Sequence, residues 1–268
     1  MVVTMIGSGN VAWVLGIKLL RKGHKINQVY SRQYSHALQL AIELKAEAIA
    51  DLSLVNEGVD LYMIAVSDDA LPEITEKLLL KNKLVIHTAG SISKEILNKV
   101  STNYGVVWPM KMIRKSMTTL GPLTMVVDGS SEPVIQQLEK FAHIFSSTVT
   151  RAEDTVRIKM HMLAAITANF TNHLYHLAAD YCKAENIDFR VFYPIIEETA
   201  QCIEGKNPGT LQAGPAFRGD WLTIEKHLAL LANYPETKKL YKILSESIQF
   251  SFRDVSADTK DGVELPII

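Results

Sequence analysis

The residues best suited to chemistry open the chain, where Gly7, Ser8, Gly9, Asn10, Val11 and Ala12 form a G-x-G-x-x-A string directly after the β-branched run Val2-Val3-Thr4-Met5-Ile6. Gly7 permits a sharp turn, Gly9 removes the Cβ that would hold a pyrophosphate off the backbone, and Ala12 lets a helix pack closely on a strand. The amides that begin such a helix, at the positive end of its dipole, bind phosphate. NAD enzymes place an acid on the ribose 2′-hydroxyl about 20 residues further on. This chain instead has Ser31 and Arg32 there, followed by Ser35 and His36, and its first acidic residue is Glu43. A guanidinium pairs bidentately with a 2′-phosphate and hydroxyls donate to it. The pattern predicts NADP over NAD; the plain alternative for Arg32 is a solvated loop arginine.

A second set lies in residues 154–184, which contain neither Gly nor Pro and carry Met160, Leu163, Ile166, Phe170, Leu174, Leu177 and Tyr181 at helical spacing. At about 100° per residue, His161, Asn169, Asn172 and His176 share the opposite face with Ala165 and Ala168. A polar stripe with alanines faces a cofactor cleft, a close contact between subunits, or solvent. Lys159 projects roughly opposite His161, so one cleft cannot take both. The candidate proton donors are His161, Lys111 and His87, with histidine the best suited. Asn169 and Asn172 are candidates to hold a substrate or a nicotinamide amide. Further on, Asp220 reads as the N-cap of the helix carrying His227, and Arg218 either binds a carboxylate or phosphate or only fixes the loop with Asp220.

The elements that must position these groups alternate strand and helix through the first half. Apolar runs at Ile26–Tyr30, Leu61–Val66, Leu84–Ile86, Tyr104–Trp108, Thr124–Val127 and Thr148–Thr150 read as strands, most of them buried and parallel, with a helix over about 133–145. Ligands of such sheets bind at the carboxyl ends of the strands. That rule brings Gly7, Ser31, Val66, Ser67, His87, Thr88 and Lys111 to one rim. Beyond residue 152 the pattern is helical only. The expected fold class is α/β: a Rossmann-like, doubly wound, mainly parallel sheet over 1–152, then an all-helical substrate or dimerisation domain over 153–268.

Composition narrows the partners. The 268 residues are 47% hydrophobic and 21% charged with a net charge of −1. Such a balance fits a globular protein and supplies no field to attract nucleic acid or an anionic membrane. No apolar run reaches the roughly 18 residues of a membrane span, and the immediate first strand leaves no space for an export signal. Cys182 and Cys202 have neither metal-ligand nor disulfide-framework spacing. A cytoplasmic setting is expected, without metal. The 254–268 stretch reads as a partly polar tail.

Taken together, GSGNVA, the Asp60–Asp68 strand end and His87-Thr88-Ala89-Gly90 resemble the NADP-binding domains of pyrroline-5-carboxylate reductases and coenzyme F420-dependent NADP oxidoreductases. In the second half, Asn169–Tyr175, Pro194–Thr199 and Gln212–Asp220 resemble DUF2520, a domain of unknown function found fused to such Rossmann-like domains. The resemblance implies an NADP-linked oxidoreductase, a helical second domain and a homodimer. One departure stands out: where comparable members continue Trp108-Pro109-Met110 with a Gln-Thr-Phe-Ser-like segment, this chain has Lys111-Met112-Ile113-Arg114, a more basic rim. No residue selects F420. The reading is hydride transfer between NADP(H) and a small, anionic carbonyl or imine substrate. The alternative is a non-catalytic NADP(H) sensor.

Overall fold

The first strand, β1 (Val2–Ile6), runs into the glycine turn; α1 (Asn10–Arg21) follows, and β2 (Lys25–Tyr30) returns parallel to β1. The computed structural model describes residues 1–117 and 119–252; the tail expected over 254–268 lies outside the described residues. The other strands are β3 (Glu47–Ile49), β4 (Leu61–Ile64), β5 (Lys81–His87), β6 (Ser101–Met110), β7 (Thr124–Gly129) and β8 (Thr148–Arg151). They form one eight-stranded sheet in the order β3-β2-β1-β4-β5-β6-β7-β8. Every neighbouring pair is parallel except β6 and β7. This is the expected Rossmann-like, doubly wound sheet. The short edge strand β3 carries too few residues to announce itself in the sequence.

Burial on both faces explains the continuous apolar runs. Met5, Leu61, Met63 and Ile86 pack with α1, α2 (Tyr34–Leu44) and α4 (Glu132–Ala142), while Ile6, Tyr62, Ile64 and Val85 pack on the other face with α3 (Leu71–Lys77). Helix α1 buries Ala12, Leu15, Gly16 and Leu19, one stripe at helical spacing, and carries Lys18 and Arg21 in its last turn, opposite the negative end of its dipole. The strand order reverses between β1 and β4, the switch point at which such sheets open a crevice.

Residues 154–184 are helical, as their pattern predicts, but not as one uniform α-helix: α5 (Asp154–Ala164) leads into a π-helical stretch, Ala165–Phe170, and then α6 (Thr171–Ala184). The 100° count that aligned His161 with Asn169 and Asn172 does not hold through π geometry. Nor is the whole apolar stripe covered: Met160 packs with Ala164 against Val106, Trp108 and Val126, but Leu163, Ile166 and Phe170 are exposed, while Arg157 is buried. Compactness divides the chain into Met1–Phe170 and a second unit that begins at Thr171. Helix α5, which lies beyond the sequence boundary at 152/153, therefore packs with the sheet.

The second unit contains α6, α7 (Tyr193–Cys202), α8 (Pro215–Arg218), α9 (Trp221–Leu230) and α10 (Pro235–Ser251). Tyr234 donates to Glu185 at 2.6 Å and sets its ring at a tilt against Tyr181, and His227 pairs with Tyr241 at 2.7 Å. Its described buried apolar side chains are Cys182, Ala216, Ile224 and Leu231, whereas Val191, Leu222 and Phe250 are 64%, 65% and 74% exposed. Both cysteines are free thiols. Among the described residues no helix is long and apolar enough to cross a membrane.

Candidate functional site

At the switch point the chain leaves β1 at Gly7, whose amide donates to the Tyr30 carbonyl at 2.9 Å, and leaves β4 at Ala65, whose amide donates to the Ile6 carbonyl at 2.7 Å. Gly7 sits at φ +122°, and a Cβ there would overlap the Ala65 carbonyl oxygen. Only glycine fits. A Cβ on Gly9, by contrast, would meet no protein atom within 4 Å. The space beside Gly9 is the mouth of a cavity of about 470 Å³.

That cavity collects residues from five strand ends. Gly7, Ser8, Gly9, Asn10, Val11, Ser31, Arg32, Val66, Ser67 and Thr88 line it, as does His161. Ser35 does not; it is exposed in the first turn of α2. His87 does not either, which corrects its expected role. As the last residue of β5 it points into the interior and is fully buried. Its Nδ1 accepts the Ala89 amide at 3.2 Å and its Nε2 has no partner among the described residues. Burial, reinforced by the Arg157 guanidinium, pulls its pKa down to about 4. A neutral, enclosed imidazole cannot deliver a proton to a ligand.

The structure adds lining residues absent from the sequence expectations: Tyr30, Asp68, Gly90, Trp108 and Ile113 among them. Ser91 Oγ donates to Asp68, joining the strand ends of β4 and β5. Gly90 is required by crowding, since a Cβ would lie 2.6 Å from Trp108 Cε2 and 2.7 Å from His161 Cδ2. The Trp108 and His161 rings have centroids 5.5 Å apart at 52°. Asn10 Oδ1 accepts the Lys115 amide at 3.0 Å, and the Lys115 ammonium lies 3.5 Å over the Trp13 ring. These contacts strap the segment after β6 across the start of α1.

A second cavity, about 540 Å³, shares Trp108 and His161 with the first and is walled by Met110, Met112, Met160 and Leu163, with Lys111, Thr167 and Asn169 as polar members. The Lys111 ammonium donates to the Pro122 carbonyl at 2.9 Å. Asn172 belongs to the second unit, exposed on α6. His176 is exposed there and faces Asp180 at 3.5 Å. Asp220 caps α9, accepting the Thr223 amide at 3.1 Å and its hydroxyl at 2.7 Å. These bonds hold its carboxyl below the usual range.

The donor set suits a phosphorylated dinucleotide: a glycine cradle with vacant space where a Cβ would stand, hydroxyls and a guanidinium at one end, and an aromatic and an imidazole at the other. Residues 2–91 match the family described as NADP oxidoreductase, coenzyme F420-dependent, and residues 123–248 match DUF2520, a domain of unknown function. A Bacteroides fragilis protein of known crystal structure, provisionally described as an NADP oxidoreductase, is 37% identical, over 92% of this chain and 97% of its own, with a TM-score of 0.85. An imine reductase from a Pseudomonas species is 14% identical over 93% of this chain and 94% of its own, with a TM-score of 0.69. A reductive aminase from Aspergillus terreus, in complex with NADPH and ethyl-5-oxohexanoate, is 16% identical over 95% and 96%, with a TM-score of 0.72. At those identities the likeness is one of fold. No curated protein matches the sequence.

Proposed function

The chain belongs to the family of NADP oxidoreductases that join an F420-type NADP-binding domain to DUF2520, and from that premise we propose that it reduces a small carbonyl or imine compound with NADPH. The observation that carries this reading is His161, which lines both the dinucleotide cavity and the cavity beyond Trp108. Gly7 to Val11 would hold the pyrophosphate, and Ser31 and Arg32 the 2′-phosphate. When bound, NADPH would supply the hydride for the electrophilic carbon. The matching proton would pass from the His161 ring to the substrate oxygen or nitrogen, giving an alcohol or amine. Asn169, in the same cavity wall, orients the substrate. Lys111 contributes positive charge at the rim and favours an anionic substituent, although its bond to Pro122 limits its reach.

The reading extends to assembly and setting. Exposed apolar side chains on the second unit, with few buried ones of its own, support a homodimer formed through that unit. Two free thiols and a net charge of −1 are consistent with a reducing cytoplasmic setting. The test is NADPH oxidation, followed by absorbance, against a panel of keto acids, ketones and cyclic imines, with His161→Ala beside the unmodified protein. The expected result is turnover that falls roughly 10²- to 10⁴-fold in the variant while NADPH affinity holds. Turnover unchanged in His161→Ala would remove it as the donor, and no turnover on any substrate despite tight NADPH binding would favour a sensor of NADP(H).

A further inference from the structure

Arg157 is an anomaly for a stability argument. It is 1% exposed and its Nε has no partner among the described residues, yet its guanidinium is held on several sides. Nη2 donates to the Ile92 carbonyl at 2.6 Å and to Asp154; Nη1 donates to the Ala152 carbonyl at 3.4 Å and lies 3.6 Å from Asp128. Asp128 also takes the Lys94 ammonium at 2.7 Å, and Asp154 takes the Ser93 hydroxyl and the Lys94 amide. Partial burial pushes the Asp154 carboxyl up, but the Ser93 and Arg157 bonds outweigh it and hold the group below the usual range. Two cations thus meet two carboxylates in the interior.

Burying such a network costs several kcal/mol per ion, and well-packed apolar side chains of similar volume often hold a fold as well or better. What an apolar side chain cannot supply is a directional fork that fixes two backbones at a set distance. Here the two are the walls of the site. Ile92 belongs to the turn after β5 that carries Thr88, Ala89 and Gly90 on the cavity rim, and Arg157 is one helical turn before His161 on α5. The gap between those walls has no slack, because a Cβ on Gly90 would already strike His161 and Trp108.

We propose that Arg157 is a positioning residue: by clamping α5 to the Ile92 turn, its guanidinium sets the imidazole of His161 against Trp108 at the junction of the two cavities. The proposal rests on His161 being the group that matters there, but its test needs no turnover. The His161 and Trp108 ring centroids lie 5.5 Å apart, within reach of the indole ring current, so the His161 Cδ2 proton reports their relative placement. It is read by NMR of protein labelled with ¹³C-histidine, at one fixed pH for all proteins, and assigned by its loss in His161→Ala. Trp108→Leu gives the position of the resonance with the ring current gone.

In Arg157→Lys, which keeps the charge and loses the fork, the resonance is expected to move more than half of the way toward the Trp108→Leu position while the melting temperature shows a folded protein. A folded Arg157→Lys with the resonance unmoved overturns the proposal. Should that variant not fold, Asp154→Asn weakens the same clamp at a less enclosed position, and an unmoved resonance there overturns it equally. Loss or retention of reduction in His161→Ala is a separate measurement, so a failed donor assignment and a failed clamp give different results.

Discussion

Gly7 and Ala65 meet backbone to backbone: the Ala65 carbonyl oxygen stands where a Gly7 Cβ would be, and Gly7 is held at φ +122° to allow it. Neither obstacle can be relieved by a side-chain rotation. Gly7→Ala is therefore expected to strain the turn by about 1 to 3 kcal/mol and to lower the melting temperature. Gly9→Ala has no protein atom within 4 Å of its new methyl, so it should melt with the unmodified protein yet lose NADPH affinity at least tenfold. Calorimetric titration with NADPH beside thermal melts separates the two. A Gly9→Ala protein that binds normally would take the pyrophosphate away from this turn.

Arg32 tests the choice between the two cofactors. It lines the cavity just after β2, and it is solvent-exposed. A charge-assisted bond to the 2′-phosphate is worth about 1.5 to 3 kcal/mol, so Arg32→Ala should weaken NADPH roughly 10- to 100-fold and leave NADH nearly unchanged. Equal affinities of the unmodified protein for NADPH and NADH would sink the assignment.

What the sequence made legible follows from where each signal comes from. Gly7, Ser31, Val66, Ser67 and Thr88 could be grouped in advance because parallel strands end at one rim, so a strand end is a position in space as well as in sequence. The side of a strand on which its last residue falls depends on single-residue register, and on that His87 was misplaced. Gly90, Trp108 and Asp68 enter through contacts between elements far apart in the chain, which periodicity does not encode. Arg157 was invisible because arginine reads as a surface residue. The run Ala165-Ile166-Thr167-Ala168-Asn169-Phe170 has ordinary helix composition, so nothing in it announces a π-helical turn.

The proposed dimer is tested on the second unit. Ile195, Leu222 and Leu230 are exposed on it, and a stable interface with a second copy would need roughly 1,200 to 2,000 Å² of buried surface. Sedimentation at micromolar concentration should give twice the chain mass. Paired charges such as Leu222→Glu with Leu230→Glu, which leave the sheet untouched, should shift the protein toward monomer. A monomer in the unmodified protein would return those side chains to solvent and reject the dimer.

The final prediction concerns acid stability and turns on His87. Burial first, and then the Arg157 charge, lower its pKa from 6.5 to about 4, so the folded protein keeps the ring neutral over a range in which the unfolded chain protonates it. Unfolding takes up a proton there, and acidification favours the unfolded state. The contribution is complete above about pH 6.5 and is lost as pH falls through about 4. At 1.36 kcal/mol for each pH unit of displacement it amounts to about 3 kcal/mol. Urea denaturation from pH 7 to pH 4 should therefore cost the unmodified protein about that much more stability than it costs His87→Leu. The slope with pH is the readout, so a general loss of stability in the variant, which leaves the Ala89 amide without its acceptor, does not obscure it. Parallel slopes for the two proteins would mean that His87 takes up its proton in the folded state as readily as in the unfolded one, against its enclosure beside Arg157.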